Sequence, residues 1–455
     1  MPRIPYRNRP SGRRVSRYGL PVLLIAVALV LAACTDDPSD EPSAGAETDA
    51  DSTGGQPPDA PEDEAASSDG PDDQPEDNLR ELAPRTVGPL TEPVRERSIG
   101  CDPDRFAFFQ DDCEPAAMIE LSELVTGGPE PDAIPSIDDP QFESIAEAGE
   151  WLGDRSPVVV LEHGGDTRLY PLEILVRHEI VNDEVGGEPV AVTYCPLCNS
   201  ALTFERTLDG PDGPEVLEFG TTGRLWRSNL VMYDREHLGL WSQFTGQAIV
   251  GERFLGDLLE RIPTSLLGFS TAAELAPDAR VLTRETGLDV DYEITPYVSF
   301  DREDTRPAFL RNEPDDRLPP MTRVVGIGRG SESVAVVLDH LATEQVVELE
   351  LDADPITVWW TPGQASILGG LRAEDGVELG QTVTYVASHD GRRLTFEPAG
   401  EGRFVDTQTG SAWDLRGRAV DGPLEGEALE PVARDDVLWF AWAVYRPETT
   451  IVGAP

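Results

Sequence analysis

The chain has 455 residues, with 85 Asp and Glu against 36 basic residues and a formal net charge of -49, a length that accommodates two or three ordinary domains. Every basic residue is Arg, and so acidic a balance argues against nucleic acid as a partner, because no surplus cation is present to displace phosphate counterions. Five Cys in a chain this long also exclude a small disulfide scaffold.

Residues 1–33 hold six Arg and no acid, and Leu20 to Ala33 is an unbroken apolar and small stretch. That run is short for a bilayer span and reads as a signal peptide. It ends in Leu31-Ala32-Ala33-Cys34, which resembles the bacterial lipobox, so Cys34 is the expected lipidation site. Arg13-Arg14 hints at the twin-arginine export route. The bilayer is then a partner through Cys34, and the expected location is extracytoplasmic, anchored to the cell membrane as a lipoprotein.

Residues 35–79 carry 16 acids, seven Pro, no basic residue and no aromatic. Such a stretch buries too little apolar surface to offset its ordering entropy, so 34–95 is expected to be a disordered acidic linker. An N-terminal extension follows over 96–150. In an exported protein, Cys101 and Cys113 are expected to close a disulfide around a structure-poor loop.

From Val158 to Leu202 the chain aligns without a gap on Val324 to Leu368, at an offset of 166 residues with 12 identities in 45 positions. The fold class expected is β-rich α+β, with two tandem homologous domains from an internal duplication, 151–290 and 291–455. Strand runs Val158 to Leu161 and Arg168 to Tyr170 flank Gly164-Gly165-Asp166, a hairpin signal, and Pro189 to Tyr194 is a further strand run. Ser144–Leu152, Leu172–Val181 and Gly256–Arg261 are the only stretches that read as helical. Trp359-Trp360 and Trp439-Phe440-Ala441-Trp442 are expected in cores, and His163, His237, His340 and His389 fit no ligand spacing.

Cys195-Pro196-Leu197-Cys198 stands where the second copy has Thr361-Pro362-Gly363-Gln364, so the turn proline is kept and both thiols are lost. A bridge across so small a loop removes little unfolded-state entropy, which weakens a purely stabilising role. Dithiol redox chemistry, with no cofactor, is the leading reading. A zinc or copper site on Cys195, Cys198, His178 and an acid, Glu179 or Asp183, is the alternative. An inert pair in a structural or interaction lipoprotein is the third. His178 is lost in the same copy as the thiols, being matched by Glu344, which favours one shared site in which the imidazole lowers a thiol pKa and acts as base.

Tyr170-Pro171-Leu172, His178-Glu179-Ile180-Val181-Asn182-Asp183, Val192-Thr193-Tyr194-Cys195-Pro196-Leu197-Cys198, Ser228-Asn229-Leu230-Val231-Met232-Tyr233-Asp234-Arg235 and Leu240-Trp241-Ser242-Gln243, with Gly127-Gly128-Pro129 and Ala133-Ile134-Pro135 before them, resemble the bacterial domain of unknown function 3179 over roughly Met118 to Asp301. Asn199 replaces the family's usual small residue and Arg177 its usual aromatic. Some members of that family look like selenoproteins, which implies redox work at Cys198. A thiol oxidoreductase with catalytic Cys195, Cys198 and His178, and an unidentified thiol or disulfide partner protein, is therefore the expectation.

Overall fold

The first half is built from short strands with bulky apolar residues, joined in part by tight hairpins. Val158, Val159 and Leu161 are buried along β1 (Pro157–His163), which turns at Gly164-Gly165 into β2 (Asp166–Pro171). Both glycines have positive φ, 57° and 83°, as a two-residue hairpin turn with the twist of its strands requires. Pro171 caps α1 (Leu172–His178), and Glu179, left-handed at φ 60°, ends it. The chain continues through β3 (Ile180–Val185), β4 (Glu188–Cys195) and β5 (Ser200–Glu205), which pair in sequence. The hairpin β6 (Phe219–Trp226) and β7 (Asn229–Asp234) follows, and then β8 (Ser265–Gly268) and α2 (Phe269–Leu275).

In this computed structural model residues 89–454 are described, apart from 103, 104, 107–109, 111 and 312. The leader, Cys34 and the acidic run 35–79 lie outside the described residues. Two helical expectations are trimmed. The helix read over Leu172–Val181 stops at His178, because β-branched Ile180 and Val181 pair with Thr193 and Val192 instead. The one read over Ser144–Leu152 is a single turn, Ile145–Ala148, held by a reciprocal cap between Ser144 and Glu147. Gly256–Arg261 forms no helix; Leu258 bridges Gln247 there. No helix among the described residues is long and apolar enough to cross a membrane.

The second half runs β9 (Arg323–Arg329), β10 (Glu332–Val337), α3 (Leu338–Glu344), β11 (Val346–Leu351) and β12 (Asp354–Thr361). Each bound equals that of β1, β2, α1, β3 or β4 plus 166. Even the helix stop recurs, with Gln345 left-handed at φ 62°. Next come β13 (Gln381–Val386), paired with β12, then β14 (Asp435–Leu438), paired with β9, and α4 (Trp439–Tyr445).

The halves exchange edges. Leu266 of β8 pairs with Thr382 of β13, which joins strands of both halves in one eight-stranded sheet. On the reciprocal side, the Leu438 amide of β14 donates to the Cys198 carbonyl, just before β5, at 3.1 Å. The cores are shared as well. One cluster holds Cys195, Cys198, Trp226 and Phe244 with Leu438, Trp439, Trp442 and Tyr445. Another holds Val158, Leu267 and Phe269 with Trp359, Tyr385 and Trp413. The boundary expected at residue 290 is therefore crossed by a sheet and two cores, and all described residues fall in one compact unit, Pro84–Pro455. Near its start, Cys101 and Cys113 are disulfide-bonded, and Met118 N and Gly251 N tie the N-terminal segment to the strand Ala248–Val250 and the residue after it, through Ile249 O and Ala116 O.

Candidate dithiol site

β4 ends at Cys195 and β5 begins at Ser200, whose backbones pair across the turn Pro196-Leu197-Cys198-Asn199. Pro196 has no N–H, so the first amides of the turn are those of Leu197 and Cys198; the Cys198 amide donates to the Cys195 carbonyl at 3.2 Å, and both amides act to lower the Cys195 pKa. The Leu230 amide of β7 and the Cys198 thiol act on the Cys195 pKa in the same direction. Cys195 is 2% exposed and Cys198 is fully buried, and both are free thiols. Burial alone would raise the Cys195 thiol; the Cys198 thiol and the three amides outweigh it and hold Cys195 below the usual thiol range. Burial, and then the charge on Cys195, push Cys198 well above that range. The pair therefore favours one shared negative charge, placed on Cys195.

The Cys198 thiol also lies 3.3 Å from the Ser228 carbonyl, so it donates either there or to Cys195. Behind it stands a buried polar network. Asn229 lies against the Cys198 sulfur and donates to Gln243 Oε1 (2.8 Å) and Ser200 Oγ (3.2 Å), while Gln243 donates to Thr193 Oγ1 (3.0 Å). These contacts give a physical reason for Ser228-Asn229 and Gln243 among the sequence motifs. The Ser228 hydroxyl, however, is buried with no partner.

Four non-glycine residues around the turn have left-handed backbones: Glu179 (60°), Asn199 (55°), Arg227 (54°) and Ser228 (66°). Such conformations cost on the order of 1 kcal/mol or more each and gather where the surroundings enforce them. Asn199 is enforced from both halves, since its amide accepts from Tyr194 Oη at 3.1 Å and donates to the Asp436 carbonyl at 2.9 Å. Arg227 donates to Val444 O at 3.0 Å, and Tyr445 Oη donates to Trp226 O at 2.7 Å, so the second half closes the site as a wall. A cavity of about 20 Å³ borders the turn, lined by Asn199, Arg323, Gln364, Thr382 and Asp436. That is room for about one water molecule.

The structure does not bring His178 to the thiols. Its Nδ1 lies 2.7 Å from the Pro135 carbonyl, which requires Nδ1–H, and its Nε2 accepts from Tyr292 Oη at 2.6 Å. Burial holds the imidazole below its ordinary pKa, so both nitrogens are spent in a neutral ring. Glu179 is one of the titratable groups on which the Cys195 charge acts, with Tyr194, Tyr297 and Tyr445. Its backbone carbonyl accepts from Tyr194 N at 2.8 Å, and burial with the Cys195 charge pushes its carboxyl up to about 8. Tyr297, from the loop after residue 290, is raised by burial and then by the charges of Glu179 and Cys195. Asp183 is held instead by Tyr170 Oη at 2.7 Å and by Arg168. Among the described residues no group of three or more His, Cys, Asp or Glu is placed to hold a metal ion. Of the zinc or copper ligands expected from sequence, His178 has both ring nitrogens engaged with Pro135 and Tyr292.

A family model described as a protein of unknown function, DUF3179, matches residues 131–449. The chain belongs to this family. No curated protein and no solved structure matches it. The match runs past Asp301, where the sequence resemblance ended, through β14 and α4. The wall over the dithiol thus lies within the DUF3179 unit. Nothing in the sequence around Glu179 announces its left-handed turn; its position next to His178 in a shared motif was the only signal.

Proposed function

We propose that Cys195 and Cys198 form a two-electron dithiol–disulfide redox site, with Cys195 as nucleophile and Cys198 as the sulfur that closes the bridge. The observation that supports this most is the pair of buried free thiols on one turn, where the surrounding amides and the Cys198 thiol favour a thiolate on Cys195 although burial alone would keep a thiol. A pair kept for packing has no use for that arrangement, and the second half keeps the turn proline, Pro362, with no sulfur at all. Oxidation takes two electrons from the pair, and the Cys198 proton leaves as the S–S bond forms.

Equilibration of the purified protein in dithiothreitol redox buffers, followed by alkylation under denaturing conditions, tests it. Cys195 and Cys198 should become protected together and be recovered together, with the same midpoint in the presence of a chelator. Irreversible or independent loss of the two thiols would sink the redox reading. Stoichiometric zinc or copper on purification, released together with thiol protection by the chelator, would put the metal reading in its place.

The site is assigned to the outside of the cytoplasm, because residues 1–33 read as a signal peptide and Cys34 as a lipidated N-terminus on an acidic tether. Intact mass should show a diacylglycerol-sized addition that Cys34→Ser loses; an equal mass and an equal membrane-bound fraction in the variant would contradict the anchor. The 166-residue recurrence of elements is best explained by an internal duplication, after which the second half became the wall of the first half's site.

A further inference from the structure

We propose that the outer edge of β11 is a docking strand for an extended, cationic segment of a partner protein, which adds to it as a further strand. The duplication supplies the template. β3, the first-half equivalent of β11, ends its own sheet, and its edge is occupied by the chain's Ile137 in a parallel bridge to Val181. The Ile137 amide donates to Ile180 O at 2.9 Å, and the Ile137 carbonyl accepts from Asn182 N at 2.8 Å. The Ile137 side chain is buried and joins the core of Val159, Leu161 and Val181.

In the second half the same edge stands open. β11 pairs with β12 in the register of β3 with β4: Val346 meets Trp359 and Glu348 meets Thr357, as Ile180 meets Thr193 and Asn182 meets Ala191. Val346 O and Glu348 N therefore point away from β12, as Ile180 O and Asn182 N point away from β4. Among the described residues no strand or isolated bridge is paired to this edge. The core equivalents Val325, Ile327 and Val347 are in place, but no described residue of 291–322 joins them as Ile137 does. That stretch is engaged elsewhere, with the amides of Thr295, Ser299 and Phe300 donating to the carbonyls of Leu371, Gly369 and Leu368. β3 and β11 are the two six-residue strands at sheet ends among the described residues, and the other end strands are shorter. A long unpaired edge is a template for a further strand.

Charge selects the occupant. Glu344, Glu348, Glu350 and Asp352 are exposed on β11 and its flanks, and the cation paired with them is Arg393, 3.6 Å from Glu350. A second copy added edge to edge would set Glu348 and Glu350 against the same carboxylates, which is destabilising. Residues 35–79, acidic and without a base, are repelled in the same way. A segment with one aliphatic residue in the role of Ile137 and basic side chains around it meets carboxylates instead.

Fluorescein-labelled Arg-Val-Arg-Ile-Arg-Val-Arg, titrated with the purified full chain, should show saturable anisotropy, and the charge-inverted Glu-Val-Glu-Ile-Glu-Val-Glu should show none. Glu348→Pro removes the outward N–H, which makes no ladder bond, and should weaken binding by about tenfold relative to Glu348→Ala, which loses the same carboxylate. N-methylation of the peptide's Ile removes the bond to Val346 O without touching the fold of the protein, and should weaken binding by about the same factor. Glu344→Arg with Glu350→Arg should weaken it further and reduce its dependence on salt. Hydrogen exchange at the Glu348 amide should slow when the basic peptide is bound. Absence of saturable binding, or equal binding of the two peptides, overturns the inference. Binding that neither Glu348→Pro nor the N-methyl group weakens is charge attraction without strand addition, and overturns it too. A dimer of the full chain that Glu348→Pro dissociates would give the edge to a second copy instead of a partner.

Discussion

Severed at residue 290, neither half should fold by itself. Residues 291–455 alone would leave the Thr382 edge of β13 without Leu266 and would strip Leu438, Trp439, Trp442 and Tyr445 of the core they share with Trp226 and Phe244. Large buried aromatic side chains are worth about 3–5 kcal/mol each on truncation, and a whole domain is stable by only about 5–15 kcal/mol. Exposing three or four of them therefore consumes the entire margin. Each half expressed singly should show no cooperative denaturant transition, and co-expression of the two should restore one. A sharp urea transition from 291–455 alone would contradict the shared-core architecture.

The second large effect is pH-dependent and sits on the same seam. Glu173, in the first turn of α1, is 7% exposed, has one carboxyl oxygen without a partner, and feels Glu374 from the second half. Burial, opposed in part by bonds from Ser156 and the residue's own amide, pushes its pKa up to about 7. Between the ordinary value of 4.5 and about 7 the folded protein therefore holds a proton that the unfolded chain has lost, so stability falls as pH rises through that window. At about 1.4 kcal/mol per unit the full loss is about 3 kcal/mol above neutrality. Glu173→Gln should match the parent below pH 4.5 and exceed it by about 3 kcal/mol at pH 8 in urea titrations. Glu179 acts in the same direction and His178 in the opposite one, with its depressed pKa removing stability as pH falls below 6.5. Both cancel in the difference between variant and parent. Equal curves across the whole range would show that Glu173 is ionised in the folded state.

Much of the scaffold was legible because it is written in local chemistry. The glycine pair at 164–165, the Val-rich strands, the 166-residue recurrence and the Cys195-Pro196-Leu197-Cys198 turn all follow from side-chain type and spacing. What escaped is non-local or conformational. Ile180 and Val181 continue the apolar spacing of α1, and only the left-handed Glu179 redirects them into a strand. The Leu266–Thr382 pairing links positions more than a hundred residues apart in two halves that each look self-sufficient. The joint absence of His178 and both thiols from the second copy suggested a contact between them, and both ring nitrogens of His178 are engaged elsewhere. His178 pins Tyr292 and Pro135.

The central claim, a buried thiolate on Cys195 sustained by Cys198 and backbone amides, is tested most directly by absorbance at 240 nm against pH on the reduced protein, which reads thiolate whether or not a reagent reaches the sulfur. One thiolate should appear below the ordinary thiol range, vanish in Cys195→Ser, move to higher pH in Cys198→Ala as its thiol donor is lost, and stay in place in His178→Ala. A parent in which neither sulfur ionises below the ordinary thiol range, or a titration unchanged by Cys195→Ser, would contradict the account.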